Sequence, residues 1–281
     1  MTSDETLTIL ACQIDVPPTV SVQDRDAHLA NTVAKVRARL KGCVSVDLVV
    51  LPELSSIDYS REAFAGLNEL AEHVDGASFG AWRQLAQEFK IYVSYGFARS
   101  GKGGPFISTG VVGPDGELVG YYDKLHLAQY GASMEKEYFH RGNHLFAFEV
   151  KGFRLAPIIC YDIRIPELTR TLVVDQNVDV ILHCGAYYRD ESFHTWHAFA
   201  TARALENQVF FLSLNRAGET YGNSLFCLPW QDEKTPPLSF AERSEDFQVI
   251  PLDRKTLQKA RRDYTFLKDR LEHYRIDLMK A

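Results

Sequence analysis

Residues Ala156–Leu168 read APIICYDIRIPEL. An apolar run through Ile158 and Ile159 reaches Cys160, then turns polar, with an acid, a base and a proline immediately behind it. The run reads as a buried strand, and Pro166 as the first turn of a helix, where a missing N–H leaves no bond unmade. Strand passing into helix is the repeating unit of α/β proteins, which place their chemistry at strand ends. A lone cysteine in such a place is by default a small hydrophobe. A reactive role requires partners from elsewhere in the chain.

Working outward, Leu7–Asp15 and the SVDLVVLPEL run (45–54) read as apolar strands, the second ending on Pro52 and Glu53. Between them Leu29, Val33, Val36 and Leu40 share one helical face. A second helix is predicted over Ser78–Lys90, and Ile91, Val93, Tyr95 and Phe97 alternate as in a strand. Hairpins turn at Gly113–Gly116 and at Lys151–Gly152. Further strands are predicted at 178–185, 209–215, 221–229 and 249–253, a helix near 191–207, and a charged tail from Lys255 that begins helical. Strand–helix units with interleaved hairpins predict an α/β chain of mixed sheets with helices outside. With no linker and no internal repeat, residues 1–281 are expected to form one domain.

Composition narrows the class. The 281 residues are 46% hydrophobic and 24% charged, with a formal net charge of -6, so nucleic acid is not expected as a partner. No apolar stretch is long enough to cross a bilayer, so no membrane partner is expected. The acidic start MTSDETLTILACQID does not resemble a secretory leader. Five cysteines, an odd number without CxxC spacing, predict neither disulfides nor zinc and suit a reducing cytoplasm. The nine histidines show no metal-binding spacing, and a Cys–His dyad finds no supporting signature. No cofactor and no metal are expected.

Three predicted strand ends carry reactive groups: Glu53 after DLVVLP, Lys124 after LVGYYD and Cys160 after RLAPII. Each alone reads as a solvated charge or a packed thiol. Together they are chemically coherent. An ammonium favours a thiolate, a carboxylate can take the thiol proton and later activate water, and the ammonium can stabilise an oxyanion. The backbone N–H of Tyr161 is a second candidate oxyanion donor.

LPELSSIDY around Glu53, YYDKLHL around Lys124 and ICYDIRIPEL around Cys160 resemble the nitrilase, or carbon–nitrogen hydrolase, superfamily. ACQID, RALENQ, GNS and FLKDR resemble its secondary landmarks. The resemblance implies a Glu–Lys–Cys triad: Glu53 as general base, Lys124 as oxyanion-stabilising cation and Cys160 as nucleophile. It implies an auxiliary glutamate, for which Glu135 fits better than Glu137. It also implies an αββα sandwich of two mixed β-sheets with outer helices, and a homodimer or higher homo-oligomer paired through helices next to the active site, with the tail 255–281 a candidate dimer contact. Asp162, Arg164 and Glu167 are expected to be structural, Arg164 by pairing with a carboxylate, and Arg203 with Glu206 likewise. Tyr59 and the segment Gly185, Ala186, Tyr187 and Tyr188 are expected along the pocket, with Arg189, His183 or Tyr130 available to a substrate carboxylate. Tyr59, and PFISTG before the second hairpin strand, depart from the family pattern.

The sequence after Cys160 resembles the amidase branch containing omega-amidases and Nit-type enzymes. That implies hydrolysis of a small linear amide by water to acid and ammonia, through a cysteine thioester. A carbamoylase of the same fold is the alternative. A nitrilase, a non-catalytic binding protein, and a thiol redox protein with Cys184 as resolving cysteine rank below it.

Overall fold

The computed structural model describes residues 5–43 and 45–276. Its first half runs β1 (Thr6–Gln13), α1 (Val22–Lys41), β2 (Leu48–Val50), α2 (Arg61–Ala65), α3 (Leu67–Leu70), α4 (Ala77–Phe89), β3 (Tyr92–Gly101), β4 (Gly104–Val112) and β5 (Leu118–Asp123). Its second half runs α5 (Glu135–Tyr138), β6 (Phe148–Val150), β7 (Phe153–Ile159), α6 (Pro166–Val174), β8 (Val180–Cys184), α7 (Phe193–Asn207), β9 (Phe210–Leu214), β10 (Leu225–Cys227), β11 (Leu238–Ser239), β12 (Asp246–Asp253), α8 (Arg254–Asp263) and α9 (Phe266–Asp269). The strands form two six-stranded sheets, ordered β12-β1-β2-β3-β4-β5 and β11-β10-β9-β8-β7-β6. In each, three adjacent strands are parallel and the flanking strands antiparallel.

Strand periodicity assigns the layers. On β1, Leu7, Ile9 and Ala11 meet Val180 and Leu182 of β8 and Leu212 of β9 between the sheets. Leu10 and Cys12 face the other way, onto Leu29, Val33 and Val36 of α1 and Trp82 and Leu85 of α4. Likewise Ala156 and Ile158 of β7 and Ile181 of β8 pack on Leu168 and Leu172 of α6 and Trp196 and Ala200 of α7. The result is the expected αββα sandwich. Because the central strands are covered on both faces, they read as unbroken apolar runs rather than alternating ones.

Topology gathers the site. β2 and β3 are parallel, and β4 and β5 each reverse direction, so β5 again runs the same way as β2. Glu53 after β2 and Lys124 after β5 therefore lie at one end of their sheet. Cys160, Gly185 and Asn215 follow the parallel strands β7, β8 and β9 of the other sheet.

The structure differs from the sequence reading at small elements. The strand expected over 221–229 shrinks to Leu225–Cys227, because Gly222 and Asn223 take left-handed backbone at φ 90° and 61°. The helices α2, α3 and α5, of four or five residues, are too short to leave a periodic signal. The tail begins as α8, as expected, while its positions 277–281 lie outside the described residues. Among the described residues no helix is long and apolar enough to cross a membrane.

Candidate active site

At the end of β7 the chain turns on the cysteine itself. Cys160 has φ 46°, in the left-handed region, and opens a 3₁₀ turn over Cys160–Arg164. For a residue with a Cβ this costs about 1–3 kcal/mol, which surrounding bonds must offset. The buried Asp162 carboxylate does so, accepting the Ile159 N–H at 2.9 Å, the Tyr122 hydroxyl at 2.8 Å and the His126 N–H at 3.0 Å. Arg203 donates through Nε to Ile163 O at 3.0 Å and pairs with Glu206 at 2.8 Å. The structural roles expected for Asp162 and Arg203 are met.

Glu53 is placed by close backbone approach. A Cβ on Gly96 of β3 would collide with Pro52 O, Leu54 N and Glu53 Cα, so only glycine lets the two chains meet there. Behind the loop lies Arg216, fully buried at the end of β9. Its Nε donates to Glu53 O at 3.1 Å, and its Nη2 to Leu54 O at 2.6 Å and Ile57 O at 2.8 Å. Asn215 beside it holds the other loop, accepting Tyr187 N–H at 2.8 Å and donating to Tyr187 O at 3.1 Å. Sequence reasoning missed both residues. Their one signal was their position after a predicted strand.

Lys124 joins the two carboxylates. Its Nζ lies 2.8 Å from Glu53 Oε1 and 2.6 Å from Glu135 Oε1. Glu135 also accepts Tyr59 OH and Ala128 N–H, each at 2.8 Å, so its oxygens are fully engaged. Glu53 Oε2 accepts the Ala186 N–H at 2.8 Å. The Cys160 sulfur and an oxygen of each carboxylate lie within 4.8 Å of one another. This is the one His, Cys, Asp and Glu cluster with ligand-like spacing among the described residues, and the Lys124 ammonium stands against both of its carboxylates.

Exposure gives the cluster a direction. Cys160 is 8% exposed, whereas Glu53 is 1% and Lys124 and Glu135 are 0% exposed. Of the four residues, Cys160 is the least covered. Burial, then the Glu53 carboxylate, hold the Cys160 thiol well above its ordinary value, and Lys124 offsets only part of this. The Lys124 ammonium does favour the thiolate, as expected, but burial and the two carboxylates outweigh it. Lys124 is itself held well above its ordinary value by Glu135 and Glu53, which outweigh its desolvation. Burial raises Glu135. The set is a thiol beside a carboxyl group, with the Lys124 amine held between Glu53 and Glu135. Such a set can move a proton from sulfur to carboxylate as the sulfur attacks an electrophilic carbon, and can hold a developing oxyanion.

Other expectations are revised. Arg164 pairs with no carboxylate among the described residues. Its guanidinium stands 5.4 Å from the centre of the Tyr130 ring and 5.0 Å from that of Phe199, its Nη2 reaches Thr195 Oγ1 at 3.4 Å, and its Nε is buried without an acceptor. Arg189 is spent on loop carbonyls, Tyr221 O at 2.8 Å and Glu242 O at 2.7 Å, and His183 uses both ring nitrogens internally, so neither is available to a substrate. Tyr130 remains beside Arg164. Tyr187 is buried, whereas Tyr188 is exposed and packs on Tyr221. Gly185 donates to Leu214 O at 2.8 Å, continuing the sheet. Glu137 pairs with Arg61 at 2.6 Å away from the triad, and Glu167 is exposed in the first turn of α6. Cys184 faces the layer between the sheets and Cys160 the layer toward α6 and α7, against a resolving role for Cys184.

The sequence profile of the family described as carbon–nitrogen hydrolase matches residues 8–261. The chain belongs to the carbon–nitrogen hydrolase family. It is similar to an (R)-stereoselective amidase of a Pseudomonas species, 30% identical over 255 residues that cover 89% of each chain. It is similar also to the omega-amidase YafV of Escherichia coli K12, 28% identical over 229 residues covering 80% of this chain and 83% of that one. Among solved structures, Nit3 of Saccharomyces cerevisiae, a nitrilase-superfamily member, superposes with a TM-score of 0.81 at 22% identity, over 94% of this chain and 96% of that one. This chain is an enzyme of the carbon–nitrogen hydrolase family, with amidases among the proteins it is similar to.

Proposed function

We propose that the substrate is a small linear amide carrying an acid group, and that Glu53, Lys124 and Cys160 convert it with water to the carboxylic acid and ammonia. The observation that carries this reading is the Glu53–Lys124–Glu135 ion cluster, with its oxygens within 4.8 Å of the Cys160 sulfur. Glu53 accepts the thiol proton as Sγ bonds to the amide carbon. The oxyanion meets Lys124 Nζ and the Tyr161 N–H, which stands in the first turn after β7, where N–H groups lack an intrahelical partner. Glu53 passes the proton to nitrogen, the C–N bond breaks and ammonia leaves an acyl thioester on Cys160. Glu53 then deprotonates water as the water oxygen bonds to the thioester carbon, the C–S bond breaks, the acid leaves and Glu53 returns the proton to the sulfur. Glu135 and Tyr59 hold Lys124 in register. Gly185 and Ala186 line the site, and the Ala186 N–H fixes Glu53.

Arg164, which pairs with no carboxylate among the described residues, supports an acid group on the substrate, as does the likeness to omega-amidases. In the same reading the enzyme is a cytoplasmic homodimer: all five cysteines are free, and Leu271, Tyr274 and Ile276 of the tail are exposed apolar residues that a second copy would cover. The test is ammonia release from matched amides with and without a distal carboxylate, from N-carbamoyl amino acids and from nitriles. Cys160→Ala abolishes release. Arg164→Gln raises KM for acid-bearing amides by about tenfold, one lost charged pair, and leaves neutral amides unchanged. Carbon dioxide released with the ammonia would favour a carbamoylase instead.

A further inference from the structure

The Cys160 carbonyl accepts two buried hydrogen bonds, from Tyr187 OH at 2.9 Å and from His183 Nε2 at 3.0 Å. A carbonyl only accepts, so Nε2 carries the imidazole proton. His183 Nδ1 then accepts the Ser213 hydroxyl at 2.6 Å, and Ser213 Oγ in turn accepts Trp196 Nε1–H at 2.7 Å. The chain Trp196, Ser213, His183, Cys160 runs in one direction. Burial keeps the imidazole neutral, its pKa lowered to about 4. Tyr187 is fixed as firmly: its ring stacks on Trp196 with centroids 4.7 Å apart, and Asn215 holds its main chain.

These bonds act on one peptide unit whose other end is the Tyr161 N–H. A trans peptide is planar, with C=O and N–H directed oppositely, and no described peptide is cis. Clamping the Cys160 carbonyl therefore sets the direction of the Tyr161 N–H. Hydrogen bonds to the carbonyl also polarise the unit and strengthen the N–H as a donor. We infer that Tyr187 and His183, with Ser213 bonded to the second ring nitrogen of His183, are positioning residues that aim and polarise the Tyr161 N–H toward the oxyanion formed at Cys160. The inference rests on the proposed thioester route, in which that oxyanion exists.

Tyr187→Phe keeps the ring and its stacking and removes one donor to the carbonyl. A direct oxyanion donor is worth about 10²–10³ in kcat, so an indirect one is expected to be worth about tenfold, with KM within about twofold. The discriminating probe is the aldehyde matching the best amide. It adds to Cys160: the C–S bond forms, the carbonyl π pair moves to oxygen, and the thiol proton ends on that oxygen. Tyr187→Phe weakens this tetrahedral adduct by the same factor as kcat/KM, while inhibition by the product acid and the thermal midpoint stay as in wild type. Ser213→Ala leaves His183 Nδ1 without its donor and lowers kcat in the same direction, while nitrogen-15 NMR finds the His183 proton still on Nε2, held by the Cys160 carbonyl. Equal weakening of aldehyde and product acid, or an unchanged kcat in Tyr187→Phe, would overturn the inference and leave a packing role. Failure of the underlying reading shows separately, as a wild type that neither turns over amides nor forms an aldehyde adduct at Cys160, and it takes the inference with it.

Discussion

Around the Cys160 sulfur, two carboxylates and burial outweigh one ammonium, so the nucleophile rests as a thiol and ionises only as it reacts. This differs from cysteines activated by a neighbouring cation alone, whose thiolate persists at neutral pH. The folded pKa lies above the ordinary value of 9.0, so the difference in thiolate ultraviolet absorbance between wild type and Cys160→Ala is expected to be nil at about pH 8 and to emerge only in strong alkali. A step near neutral pH would contradict this charge balance. At this scale the sequence displayed Glu53, Lys124 and Cys160 because each ends an apolar run, and Glu135 through its likeness to a family element. It did not display Arg216 or the hydroxyl of Tyr187. A buried arginine reads in sequence as a surface charge, and its three acceptors lie about 160 positions away, at sequence separations of 163, 162 and 159.

Between elements, the contacts that set catalytic geometry are backbone to backbone. β3 reaches the Glu53 loop through Gly96, and the segment after α5 reaches Lys124 through Gly142, whose N–H donates to Lys124 O at 2.9 Å. Gly96→Ala would push Pro52 and Glu53 away from β3. Overpacking of this kind costs about 1–3 kcal/mol, and displacing a catalytic base by about 1 Å costs about 10²-fold in rate. Urea denaturation and ammonia release measured together are expected to show both losses. Retained activity with reduced stability would mean that the base does not depend on β3. Long strands and helices were legible because α1, α4 and α7 carry an apolar stripe and the central strands are apolar throughout. The two-residue β11 and the four-residue α5 were not, because tertiary contacts rather than local pattern hold them.

On the scale of the molecule, two sheets bury between their ends a cation shared by two anions, an arrangement that only the assembled sandwich can solvate. Removing the cation leaves uncompensated charge, so Lys124→Met is expected to lose about 3–5 kcal/mol of stability, read from urea midpoints. The pH dependence has a definite sign. Glu135 is already raised by burial and loses in Lys124→Met the partner that lowers it, so the folded state holds a proton that the unfolded state releases, and stability falls as pH increases. The deficit relative to wild type is therefore expected to grow as pH rises above the ordinary glutamate value of 4.5, and a deficit independent of pH would exclude this origin. The αββα layering was legible from the order of strands and helices together with the family likeness. The convergence of two sheets on one end was not, because it needs both antiparallel reversals between β3 and β5, of which local pattern showed only the turn at Gly113–Gly116. The most direct test of the account is rapid-quench mass spectrometry of the enzyme turning over a small amide. The expected result is an acyl group on the peptide containing Cys160, formed as ammonia is released and absent from Cys160→Ala. Release of acid and ammonia with no covalent intermediate, or with the acyl group on another residue, would contradict it.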